Sequence, residues 1–141
     1  MSTMKKLFII SLIALTTLGC NAEKTQGAEE VAIAFFDAIY NEKDIKKAAA
    51  LSTPSFSKEV QKYVTAKNAA RRLLNMSFDT VKIDAALGDL KVREEFNTSG
   101  NLTLLFTGER FGKTYKELKR IKLIKKDNTW LVDKLLKDPV P

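Results

Sequence analysis

The chain has 141 residues, no histidine and one cysteine. Without histidine it lacks the commonest general base near neutral pH and the commonest metal ligand. A lone cysteine cannot close an intrachain disulfide, so the fold must hold by packing alone. No Gly-rich phosphate loop, internal repeat or low-complexity segment occurs. Carboxylates are present, but Asp79, Asp84, Asp89, Glu94 and Glu95 fit solvated strand faces and turns rather than a paired acid and base. No apolar run reaches the roughly 20 residues a spanning helix needs. Together these absences argue against an enzyme, and no catalytic residue, metal ligand or cofactor is expected.

The longest apolar run is Leu7 to Leu18, interrupted only by Ser11, Thr16 and Thr17 and preceded by Lys5 and Lys6. At about 1.5 Å per residue, twelve helical residues cover about 18 Å of a hydrocarbon core about 30 Å thick. A charged start, a short apolar centre and a small residue, Gly19, read as a cleaved secretory signal over residues 1–19. The ending Leu18-Gly19-Cys20 resembles the lipobox of bacterial lipoproteins. That resemblance implies that Cys20 is lipidated, becomes the first mature residue and carries an acylated amino terminus. Several acyl chains anchor far more firmly than one. Asn21 follows the cysteine, where Asp would favour retention at the inner membrane. The expectation is therefore an outer-membrane lipoprotein facing the periplasm.

Removal of residues 1–19 takes Lys5 and Lys6 with it, and leaves 122 residues with a net charge of +5. That length suits one domain. The positive balance suits phospholipid headgroups, acidic glycans or an acidic protein. Nucleic acid is a poor partner for an exported, anchored protein.

Residues 20–27 are small and polar and read as a tether. The domain is expected over residues 28–141. Its first half is helical. Val31, Phe35, Ala38 and Ile39 form one stripe, widened by Ala32 and Phe36, with Glu29 and Glu30 in the first turn. Asp44 reads as the N-cap of a second helix through Leu51, and Thr53-Pro54 as the start of a third. The third is expected to run to about Asn75, with Phe56, Val60, Tyr63, Val64 and Leu74 on its apolar stripe.

The second half changes period. Turn signals stand at Gly88-Asp89, Ser99-Gly100, Phe111-Gly112 and Asp127-Asn128. Val81, Ile83, Ala85 and Leu87 alternate, as do Leu102, Leu104 and Phe106. Val92, Glu94 and Phe96 alternate more weakly. Ile121 and Leu123 face Trp130 and Val132 in the last two strands. This predicts an α+β domain in which three N-terminal helices pack on one face of a curved antiparallel sheet of about five strands.

The opening Val31-Ala32-Ile33-Ala34-Phe35-Phe36-Asp37-Ala38-Ile39-Tyr40, with Asp44 starting the next helix, and the closing hairpin from Ile121 to Val132 with its Trp130, resemble the nuclear-transport-factor-two-like superfamily. This is the cone fold shared by ketosteroid isomerase and polyketide cyclases, and the likeness is greatest to its small, lumazine-binding-like lipoprotein branch. The resemblance implies a cone with a pocket between helices and sheet, and a homodimer formed through the sheet. The isomerase branch has a Tyr on the first helix that donates to a developing oxyanion. Phe36 stands there and has no hydroxyl, so that chemistry is disfavoured and no catalytic residue is carried over.

Within such a cone, Tyr40, Tyr63, Phe96 and Trp130 are the residues expected to line a pocket. Core is the commoner role for any one aromatic, but a buried Tyr hydroxyl needs a partner and could meet a ligand. Basic residues cluster on the third helix (Lys58, Lys62, Lys67, Arg71, Arg72) and along the fourth strand, where Lys119, Arg120 and Lys122 are the expected contact for an anionic partner.

Three functions follow. The first is a non-enzymatic, lipid-anchored envelope domain that binds a small ligand or another envelope component. The second is an interaction or inhibitor lipoprotein acting on an acidic partner. The third is an unrecognised isomerase- or cyclase-class enzyme. A filled interior favours the second; an open apolar pocket with convergent Tyr or Arg groups favours the first or third.

Overall fold

The computed structural model describes residues 26–86 and 98–137. The signal segment, Cys20, the turn at Gly88-Asp89 and the weak strand around Val92, Glu94 and Phe96 lie outside the described residues.

Helix α1 spans Ala28–Tyr40, with Glu29 and Glu30 in its first turn. Its whole expected stripe is buried, together with Ala28 and Tyr40. Helix α2 spans Ile45–Ala50, and Asp44 caps it by accepting the Lys47 amide at 3.0 Å. Helix α3 spans Pro54–Gln61, with Pro54 in the first turn and the Thr53 hydroxyl accepting the Phe56 amide. Each start satisfies amides that have no partner inside the helix.

The third helix stops well short of Asn75. Val64 turns left-handed (φ 67°) and is 75% exposed, so it leaves the apolar stripe. Thr65 then caps a short helix α4, Ala66–Asn68, by accepting the Asn68 amide at 3.2 Å. A π-helical turn, Ala69–Leu73, follows and closes with the Leu74 amide on the Ala69 carbonyl. The cause is local competition: a Thr hydroxyl offers an amide a partner outside a continuous helix. The restart resets the phase and buries Ala66, Ala69, Ala70 and Leu74.

Four described strands form an antiparallel meander in the order β1 (Thr80–Ala85), β2 (Ser99–Arg110), β3 (Lys113–Lys126) and β4 (Thr129–Leu135). The loops Phe111-Gly112 and Asp127-Asn128 are two-residue turns with every φ between 50° and 73°. That backbone twist matches the strands it joins. Ser99-Gly100 is not a turn: the two residues pair with Ile124 and Leu123 inside β2. On one face Val81 and Ile83 oppose Gly108 and Phe106, Leu102 opposes Ile121, and Leu123 opposes Val132. This is the buried face, against which the helices pack. A bulge between β3 and β4 shifts the register, so that Ile121 opposes Leu135 while Leu123 opposes Val132. The far edge of β4 is occupied by the α2–α3 link, where Ser52 bridges Val132 in parallel and Thr53 donates its amide to the Val132 carbonyl.

The architecture is α+β, with helices packed on a four-stranded antiparallel sheet. The sheet is not strongly curled among the described residues, and the expected cone is not shown. Aromatic rings fill the space between the layers. Phe35 and Phe36 meet edge to face at 5.1 Å, and Phe36 meets Phe106 at 4.9 Å. Gly108 lies under the Phe78 ring, and a Cβ there would overlap it.

Candidate functional site: a filled interior and a basic outer sheet face

The expected pocket residues do not converge. Tyr40 ends α1, where its ring packs against Phe78 and Phe106 and its hydroxyl donates to the Met76 carbonyl at 3.0 Å. That proton is therefore engaged. Burial, with a smaller contribution from the Glu117 carboxylate, pushes the Tyr40 pKa far up, so the hydroxyl stays neutral. Trp130 is buried near the opposite end of α1, beside a cleft of about 130 Å³ that Val31 also lines, and Lys125 stands 5.8 Å from its ring centroid. From Val31 to Tyr40 the helix rises about 13 Å. Tyr63 is half-buried beyond the end of α3. Phe96 lies outside the described residues.

Tyr40 does line one open groove of about 440 Å³, together with Lys43, Lys67, Ser77, Phe78 and Asp79. Among the described residues, every buried side-chain nitrogen and oxygen has a hydrogen-bond partner. Nor is there, among them, a group of three or more Cys, Asp or Glu placed to hold a metal ion, or a helix long and apolar enough to cross a membrane.

The three expected contact residues of β3 are divided by strand alternation. Arg120 and Lys122 oppose Thr103 and Asn101 on the outer face of the sheet. Lys119 opposes Leu104 on the helix-facing side, between Glu117 and Ile121. The outer face instead adds residues that adjacency in sequence does not suggest. Lys116 opposes Thr107, Lys82 opposes the same threonine from β1, and Lys134 opposes Lys122. Against these five cations stand Asp84, which pairs with Lys82 at 3.5 Å, and Glu109. Period-two counting from the buried residues would have located Lys82 and Lys116, whereas Lys134, in phase with buried Trp130 and Val132, reaches the outer face only through the bulge.

Aliphatic residues lie among these charges. Leu105 opposes Leu118, and Ile124 opposes Leu131. Leu118 is 42% exposed, a large apolar side chain at the centre of a charged surface. Among the described residues no helix packs on this face. The basic residues of the helical half, Lys58, Lys62, Lys67, Arg71 and Arg72, are all exposed. Comparisons with protein-family models, with curated proteins and with solved structures find no match.

Proposed function

We propose that this chain is a non-enzymatic, lipid-anchored protein of the cell envelope that docks an acidic partner on the outer face of its sheet. The observation that carries this reading is the asymmetry of the sheet. One face is filled with interlocking core side chains, whereas the other presents Lys82, Lys116, Arg120, Lys122 and Lys134 around two cross-strand aliphatic pairs. Exposed apolar residues rimmed by charge are the composition of a contact surface. The cations select an acidic partner by steering and by rejecting basic ones. The filled interior favours an interaction protein over a ligand-binding cone or an isomerase-type enzyme. Cys20 supplies the membrane address in this reading, and the excess of cations suits the outer face to a neighbour bearing carboxylates.

The test is site-specific photo-crosslinking from position 118 in intact cells, with R120E/K122E as the competing variant. The expected product is one acidic envelope protein, lost on charge reversal and weakened by salt. A crosslink pattern unchanged by R120E/K122E at low salt would sink the reading.

A further inference from the structure

Two large apolar residues, Phe111 and Val64, are exposed on left-handed backbones. Phe111 is 89% exposed with φ 53°, and Val64 is 75% exposed with φ 67°. That conformation is uncommon for any residue but glycine and is a marked outlier for aromatic and β-branched ones. Neither burial nor backbone geometry accounts for an apolar side chain at either position. Strained, exposed residues of this kind concentrate at sites of function.

Chain neighbours of both residues reach the 440 Å³ groove. Thr65, next to Val64, lines one wall, and Ser77 lines another. The Ser77 carbonyl accepts a hydrogen bond from Arg110, which adjoins Phe111 and stacks on Tyr115 at 4.5 Å. Cations surround the apolar pair: Lys62 beside Val64, Lys43 and Lys67 in the groove, and Arg110 and Lys113 at the hairpin. The acidic residues near them are Asp79, Glu109, Glu42, already paired with Lys47 at 2.7 Å, and Asp44, engaged as the cap of α2.

From this arrangement we infer that the Phe111 end of the molecule is a contact site for an anionic lipid bilayer. Phe111 stands 89% exposed at the tip of the β2–β3 hairpin. A protein interface needs about 800 Å² of complementary surface on each side. The headgroup region of a bilayer accepts a single aromatic side chain while its phosphates meet the flanking cations. This contact is independent of the acidic partner at the outer face and does not require Arg120 or Lys122.

The test uses the mature chain, residues 20–141, with C20S, which removes both the apolar signal and the lipid attachment site, and compares vesicles of mixed phosphatidylglycerol and phosphatidylcholine with phosphatidylcholine alone. In F111W the new indole reports its own surroundings, because Trp130 is 2% exposed and contributes a constant background. Its emission is expected to shift to the blue with anionic vesicles only, and less so at high salt. F111N is expected to weaken flotation with those vesicles about tenfold. The fold should survive this change, since Asn-Gly is a favoured pair for this turn. R120E/K122E is expected to float like the parent. Equal flotation of the parent and F111N would overturn the inference, as would an emission shift produced equally by an acidic polypeptide without lipid.

Discussion

The Tyr40 hydroxyl donates to the Met76 carbonyl at 3.0 Å, across 36 positions of sequence. It ties the end of α1 to the segment that feeds β1. Nearby, Asn41 donates its side-chain amide to the Val81 carbonyl at 3.0 Å. Two consecutive residues thus fasten the helix to the sheet through main-chain acceptors.

Y40F removes the donor and leaves the Met76 carbonyl unsatisfied in the interior. The expected loss is about 1–2 kcal/mol, read by urea denaturation. The same pair of proteins gives a pH prediction. An unfolded Tyr ionises near pH 10, whereas folded Tyr40 has its pKa raised. Its contribution is therefore fully present below pH 10. It is lost as pH rises toward the folded value, because the unfolded state then releases its proton first. The slope approaches about 1.4 kcal/mol per pH unit from this one group. Y40F should lack that component, so the stability gap between the two proteins should narrow in alkaline urea titrations. A constant gap up to pH 11 counts against the burial of the hydroxyl.

G108A adds a methyl where the Phe78 ring lies. Overpacking of this kind costs about 1–3 kcal/mol. F78A opens the space, so the double variant should be less destabilised than the sum of the single ones. Chemical denaturation of all four proteins of the cycle measures the coupling. Strict additivity would place the ring elsewhere.

F111N relieves a left-handed aromatic residue and provides the residue pair that the turn favours. The expected gain is about 1 kcal/mol, or a Tm increase of about 4 °C. Scanning calorimetry checks it. A lower Tm would mean that Phe111 makes folded-state contacts inconsistent with its exposure.

Much of the fold was legible because it rests on short-range rules. Asp44 and Thr53-Pro54 mark helix starts through one side-chain oxygen each, and Phe111-Gly112 and Asp127-Asn128 mark turns through backbone hand. The break at Val64 was not legible, since Phe56, Val60 and Val64 suit a continuous stripe and only the competing Thr65 cap ends it. Ser99-Gly100 has turn composition, yet β3 is long enough to pair with both residues. The site was less legible than the fold. Lys119 belongs with Arg120 and Lys122 by adjacency and apart from them by alternation. Tyr40 and Trp130 are both buried aromatics, and nothing local to either indicates that α1 separates them.

The bridge between Ser52 and Val132 bears on self-association. The α2–α3 link engages the edge of β4 at Val132, whose amide and carbonyl go to Leu51 and Thr53, and at the edge of β1 Asn41 engages the Val81 carbonyl. Growth of a fibre by edge pairing needs two free edges on every copy. Each of the two outer strands described thus carries a local block, which disfavours growth in either direction.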